Sequence, residues 1–356
     1  MQWTTDINEF RQQQRPAHPY FAEAYDFIAL WISGQEQFIL HTSGSTGSPK
    51  PIAISRNQLT SSAAMTGKAL QLGKGTRALV CLNISYIAGL MMLVRGMELG
   101  WKLTVIEPVS NPLLSVDHHA EFDFAALVPL QLSQMLENPD TENHVNRLRK
   151  ILLGGAPVSI SLQRKIDNLT VPVYQSYGMT ETVSHVALRR LNGEKPELNF
   201  TFLPGIEFGL DARKCLYISG PVTNGEKIQT NDLAEIHGNS FKWIGRADNV
   251  INSGGVKIVL DEVDTSIAEV LYNLKITNPF FVWFRPDEKL GQMLILIMEG
   301  TIDSVTPDFL LAEIRKHNSA YETPKHVYFV NQFTRTATDK VDKHKTVQSL
   351  SGSSHG

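Results

Sequence analysis

TSGSTGSPK, residues 42–50, follows an apolar run at 37–40, and the rest of the chain is read outward from it. Gly44 and Gly47 let backbone N–H groups converge on an anion, and the hydroxyls of Thr42, Ser43, Ser45 and Thr46 add donors. Lys50 adds a positive charge. The stretch suits a polyphosphate. It is not a GxxxxGK[ST] loop, which would need glycine where Pro49 stands and a hydroxyl residue at Pro51. A flexible Ser/Gly linker has no reason to follow a buried strand or to end in Pro-Lys.

Short β-branched or aliphatic runs continue on both sides of this loop, at 37–42, 77–82, 102–106, 125–128, 150–153 and 171–175. The intervening segments 57–72 and 88–99 carry apolar residues at helical spacing. This alternation predicts a layered α/β domain. Past residue 200 the texture changes to short strands with Gly and Asn turns, at 216–219, 225–229, 233–237 and 241–244, which predicts a β-rich subdomain. The last hundred residues predict a small α+β domain, with helices at 261–271 and 307–317 and strands at 279–284, 293–298 and 326–330. The expected division is a large ATP- and acyl-binding domain, 1–247, and a small mobile C-terminal domain, 248–356.

Composition narrows the function classes. With 356 residues, 42% of them hydrophobic, there is enough chain for two packed domains. A net charge of −3 supplies no global basic field for nucleic acid or an anionic membrane surface. The longest apolar stretch, 87–94, is too short for a bilayer, and the first residues lack a basic segment leading into an apolar core. A cytoplasmic setting is expected. Cys81 and Cys215 lie far apart without metal-ligand or redox spacing, so both are expected to be structural.

Further segments carry candidate chemistry. Gly154 and Gly155, followed by Ala156 and Pro157, permit a flat ring to approach the backbone. The run YQSYGMTE at 174–181 adds Tyr177 to stack on such a ring and Glu181 to bind a divalent cation bridging phosphates. Asp232, in IQTND and expected at a strand end, can accept hydrogen bonds from both hydroxyls of a ribose. In GRADNVINSGGVKI, 245–258, Arg246 can pair with a phosphate or ribose, and the Ser253-Gly254-Gly255 turn permits unusual backbone angles. TRTATDKVDKHK, 334–345, offers Lys340 in a polar loop.

Taken in chain order, these segments resemble the adenylate-forming superfamily of acyl-CoA synthetases, adenylation domains and luciferases. CLNISYIAGL at 81–90, YGMTETVSHVALRRLNG at 177–193 and DNVINSGGVKI at 248–258 are most similar to o-succinylbenzoate:CoA ligases of menaquinone biosynthesis. Three departures stand out: less chain precedes the phosphate loop than is usual in the family, as in a shortened N-terminal region; Asp339 stands where a glycine usually precedes the lysine; and Tyr86 stands where relatives often carry histidine.

The resemblance implies an acid:CoA ligase that uses ATP, Mg²⁺ and CoA and passes through an acyl-adenylate. Another aryl- or acyl-CoA ligase, or a standalone adenylation protein that loads a carrier protein, stays open as an alternative. Lys340, Thr180 and Glu181 are the implied catalytic residues, with Glu181 on Mg²⁺. ATP or AMP would be held by Thr42 to Gly47, Lys50, Gly154 to Pro157, Tyr177, Gly178, Met179, Thr180, Asp232 and Arg246. Tyr86, Ser184 and His185 would form the acyl pocket, with His185, Arg189 or Arg190 facing the second carboxylate of a dicarboxylic acid. Asp248 would be the hinge, and Ser253, Gly254 and Gly255 the loop on the CoA side. The partners are then a small carboxylic acid, ATP and CoA, with a homodimer covering apolar surface left by the short N-terminal region.

Overall fold

The computed structural model describes residues 1–41, 51–302, 304–336 and 341–350. Its centre is a twelve-stranded sheet whose parallel half runs Lys102–Ile106, Arg77–Val80, Phe124–Leu127, Ile151–Leu153, Val173–Gly178. These strands are short and buried on both faces, which is why they read as continuous apolar runs rather than alternating ones. Their side chains divide by period two. Ala78, Val80, Phe124, Ala126 and Leu152 join one core, and Leu79, Ala125, Leu127, Ile151 and Leu153 join the core on the opposite face. Helix Arg56–Leu70, opened by a Ser55/Gln58 capping box, and helix Ile87–Leu99 pack together against the first face.

Beyond Val173–Gly178 the sheet turns antiparallel, through His185–Arg190, Phe200–Phe202, Ser240–Arg246, Ile228–His237, Cys215–Ser219 and Glu207–Leu210. The opposite edge is Gln2–Thr5, antiparallel to Lys102–Ile106. A separate ladder pairs Gln37–His41 with Pro51–Ser55, and His41 faces Pro51 in register. The sequence reading missed Gln2–Thr5 and helix Pro19–Ile32.

Past Arg246 the chain enters a second sheet of five strands, Val250–Ser253, Val256–Val259, Phe280–Asp287, Gly291–Glu299 and Val327–Val330. It has its own cores: Val282, Leu294 and Leu296 face helices Leu260–Asn273 and Pro307–His317, while Phe281, Ile295 and Ile297 face helix Lys343–Leu350. That last helix begins inside the stretch 334–345 expected to be a polar loop, and the sequence reading did not anticipate it. The architecture is the anticipated one, a large α/β unit with a β-rich extension followed by a small α+β unit.

One strand differs from expectation in a way that matters below. The two strands expected at 225–229 and 233–237 are a single ten-residue strand, Ile228–His237, and Asp232 lies inside it rather than at its end. Its hairpin partner Ser240–Arg246 pairs with its second half, from Asp232 opposite Arg246 to His237 opposite Ser240, while Ile228 and Gln229 pair with Cys215–Ser219, where a register shift between Cys215 and Tyr217 spans the irregular TND stretch.

Candidate functional site

The carboxyl ends of parallel strands are where ligands bind open α/β sheets, and the sheet changes from parallel to antiparallel pairing at Val173–Gly178. Gly154 to Pro157 leave the end of Ile151–Leu153, and Tyr177 to Glu181 leave the end of the adjacent strand. A β-carbon on Gly178 would stand 2.3 Å from the Ser184 carbonyl oxygen, so only glycine lets the outgoing and returning strands close here. The return is made by Val183 at φ +65 and ψ −59, with Ser184 N–H donating to the Thr182 carbonyl at 2.7 Å. This is a γ-turn of the rare positive-φ kind, strained for a β-branched residue, and it starts the strand carrying His185 at its first position.

Two clefts open on this junction. The first, about 300 Å³, is lined by Leu82, Ile87, Ala88, Ala126 to Val128, Leu152, Met179 and Thr180, with Arg95, Ser184 and His185 as polar wall. The second, about 710 Å³, lies between the large sheet and helix Leu260–Asn273, and its walls include Ala156, Pro157, Tyr177, Arg189, Phe200 and Trp243. Gly155, Ser176 and Gly178 line both, so the clefts meet there.

In the second cleft Tyr177 packs edge-on against Phe241, and its hydroxyl donates to Asp232 at 2.6 Å. Burial, reinforced by the Asp232 charge, pushes the Tyr177 phenol well above its ordinary range. Trp243 Nε1 donates to the other Asp232 oxygen at 3.3 Å, and Arg246 Nη1 stands 4.0 Å from it. The fold therefore brings Tyr177, Asp232 and Arg246 together. A carboxylate has more acceptor positions than these donors use, so Asp232 can still accept from a ligand's hydroxyls. Arg246 also donates to Asp248 at 2.9 Å, which raises the guanidinium pKa and holds the Asp248 carboxyl below its usual range. Asp248 lies in the short helical turn Ala247–Asn249 linking the two sheets, exposed to solvent. Gly254 and Gly255, at φ +60 and +86, form the two-residue loop joining Val250–Ser253 to Val256–Val259, a conformation that strongly favours glycine. Ser253 beside them is buried.

The first cleft differs from the sequence reading in its cation. His185 is fully buried, and burial first, then the Arg95 charge, depresses its pKa far below the ordinary histidine range, so it is neutral and does not supply a positive charge. Arg95 supplies it. Only 2% exposed, in the apolar run of helix Ile87–Leu99, it donates to Ser184 Oγ at 2.9 Å and leaves Nε with no partner. Burial pulls it down only to about 10, so it stays charged at neutral pH. Its signal in the sequence was a lone charge inside GLMMLVRGM, a costly placement for a side chain that is almost never fully buried unpaired.

Tyr86 lies outside this cleft, 53% exposed at the N-cap of helix Ile87–Leu99, while its neighbours Ile87 and Ala88 line the wall. Arg189 belongs to the second cleft, stacked on Phe200 and held by Gln175. Arg190 has a buried Nε with no hydrogen-bond partner and lines neither cleft. Cys81 and Cys215 are buried free thiols, Cys81 raised to about 12 by burial. Thr42 to Lys50, Asp339 and Lys340 lie outside the described residues.

Glu181 is exposed next to Thr180, which lines the first cleft, and among the described residues no cluster of three or more metal-ligating side chains forms. An exposed carboxylate adjacent in the chain to a cleft-lining residue fits Mg²⁺, which keeps waters and is bound by one or two carboxylates plus substrate phosphates. No helix among the described residues is long and apolar enough to cross a membrane.

Comparison with known proteins agrees with this geometry. The AMP-binding enzyme family model matches residues 33–205. The crystal structure of an acyl-CoA synthetase (AMP-forming)/AMP-acid ligase II-like protein from Dyadobacter fermentans is 61% identical, covering 98% of this chain and 100% of that one with a TM-score of 0.70. The chain belongs to the AMP-binding enzyme family. A 2-succinylbenzoate–CoA ligase of Lactococcus lactis is 26% identical over 85% of this chain and 69% of its own length. The O-succinylbenzoate coenzyme A synthetase of Bacillus subtilis, solved with ATP and magnesium ion, shares the fold at 23% identity and a TM-score of 0.72, over 87% of this chain and 69% of that one.

Proposed function

We propose that this chain is an ATP-dependent acid:CoA ligase that activates o-succinylbenzoate as its acyl-adenylate and transfers the acyl group to CoA, as in menaquinone biosynthesis. The observation that carries the reading is the buried, carboxylate-free Arg95 in a small apolar cleft that meets, at Gly155, Ser176 and Gly178, the cleft walled by Tyr177, whose hydroxyl bonds Asp232 beside Arg246. The reacting carboxylate of a dicarboxylic acid sits at that junction, and Arg95 with Ser184 takes the unreacted one. An uncompensated buried guanidinium makes sense where a ligand brings the anion.

In the first half-reaction the carboxylate attacks the α-phosphorus and pyrophosphate leaves, so catalysis needs fixed positive charge and N–H donors more than a base. Asp232 and Arg246 hold the ribose, Tyr177 and the Gly154–Pro157 backbone the base, and Thr42 to Lys50 the outer phosphates. Glu181 would hold Mg²⁺, which would supply positive charge to the phosphates. Lys340 stabilises the α-phosphate and must leave before thiol attack. For this the small unit, from Asp248 onward, rotates about Asp248 and presents Ser253, Gly254 and Gly255 to the CoA side. A cytoplasmic location accords with dependence on ATP and CoA. A homodimer is supported by exposed apolar side chains such as Leu114 and Leu130.

Mass spectrometry of products from ATP, Mg²⁺, CoA and o-succinylbenzoate is the direct test. The expected products are AMP, pyrophosphate and the acyl-CoA. Turnover of a panel of other carboxylic acids with none of this one would sink the substrate assignment. Unchanged ATP–pyrophosphate exchange in Lys340→Ala would sink the role of that lysine.

A further inference from the structure

Side chains from three separate elements meet at the imidazole of His185. Thr66, on helix Arg56–Leu70, gives its hydroxyl proton to the Ser62 carbonyl one turn back, at 3.0 Å. Toward His185 Nε2, 3.1 Å away, the Thr66 oxygen is therefore left as acceptor, so Nε2 carries the proton and Nδ1 is the bare nitrogen. Nδ1 faces Ser184 Oγ at 3.4 Å, and that oxygen accepts from Arg95 Nη2 at 2.9 Å. Every proton thus runs in one direction: Arg95 to Ser184, Ser184 to His185, His185 to Thr66, Thr66 to the helix backbone. Such a chain is mutually reinforcing and has one consistent arrangement. Thr66 and His185 are both buried, so water does not offer the imidazole another partner.

We propose that His185, fixed in one tautomer by Thr66, is a positioning residue for acid selection. It takes the Ser184 proton, so Ser184 turns its lone pair to Arg95 and the cleft presents the remaining guanidinium donors to the ligand. The site then recognises acids that carry a second anionic group and gains little from a neutral one. Burial and the neighbouring Arg95 charge keep the imidazole neutral, as this role requires. The inference rests on reading the first cleft as the acid pocket, and deepens it by naming what orients Arg95.

The test compares pyrophosphate release with o-succinylbenzoate and with 4-oxo-4-phenylbutanoate, which keeps one carboxylate and lacks the other. In His185→Phe and in the near-isosteric Thr66→Val, preference for the dicarboxylic acid should fall about tenfold, the loss expected when a hydrogen bond to a charged group is misaligned. The change should appear in KM for that acid, and in Thr66→Val, whose side chain lines neither cleft, kcat, KM for ATP and turnover of the monocarboxylic acid should be little altered. His185→Gln, which can donate to Thr66, should recover part of the preference. Equal losses on both acids would reveal a purely structural role and overturn the inference, as would preference retained in both variants. A wild-type enzyme that does not distinguish the two acids would overturn the acid-pocket reading itself.

Discussion

The two clefts are built on opposite plans. The first is walled by the large unit alone, apolar apart from a few polar groups whose hydrogen bonds are made within the protein. The second borrows one wall from helix Leu260–Asn273 of the small unit, and the ion pairs across the gap are loose and about half exposed, Lys242 to Glu262 at 3.7 Å and Arg164 to Glu269 at 3.4 Å. Exposed pairs of this kind contribute about 1 kcal/mol or less. On the proposed reading, selection of the acid rests on a preformed pocket, whereas the nucleotide cleft depends on a contact weak enough to be made and broken in each cycle.

Substitutions can break that contrast. The largest effect is expected from Asp248→Pro in the linking turn, which fixes a backbone angle the rotation must change. Acyl-adenylate formation should persist while thioester formation is lost, measured as separate half-reactions; loss of both in a folded protein would remove Asp248 as the hinge. Next, Arg95→Met should lower kcat/KM for o-succinylbenzoate by about 100-fold or more, since truncating one side of a buried charge pair costs about 2–5 kcal/mol. Without substrate its thermal midpoint should hold or rise, because the buried guanidinium faces no carboxylate in the free protein. A large fall in that midpoint would make Arg95 structural instead.

In the other cleft, Asp232→Asn should raise KM for ATP about tenfold, through weaker acceptance from the ribose hydroxyls, with KM for the acid unmoved. A change in the acid's KM would show that the clefts are coupled. The smallest effect contrasts the two units in pH. Asp123 is partly desolvated, but its bonds to Arg77 outweigh this and hold its pKa below 3.8, so its contribution is present above 3.8 and is lost as pH falls through its folded value. Burial raises Asp264, despite its 2.9 Å bond from Lys343, above 3.8, so its contribution is present below 3.8 and is lost as pH rises through its folded value. Acidification should thus remove the Asp123 contribution from the large unit and retain the Asp264 contribution in the small one. Asp264→Asn should flatten only the latter trend, followed as amide-exchange protection in each unit against pH.

Much of the fold was legible because its signals are local. Strand Lys102–Ile106 and helix Pro307–His317 fall where their residues predicted, since period and capping are properties of adjacent residues. The long strand Ile228–His237 was not legible, because pairing with Cys215–Ser219 on one side and Ser240–Arg246 on the other holds both ends of an unfavourable TND stretch. Nor was helix Lys343–Leu350, whose polar sequence is held by burying Val347 and Leu350 on the second sheet.

By itself the sequence determined the alternation of elements, the glycine-bearing turns after particular strands and the order of the motifs, because each depends on neighbours along the chain. Only the tertiary structure decided which cation lines the first cleft. Thr66, Arg95 and Ser184–His185 belong to two helices and a strand start, and Thr66 and His185 are 119 residues apart. Hydrogen bonding and burial act through space, so the role of each of these groups exists only after the sheet and helices have brought them within reach.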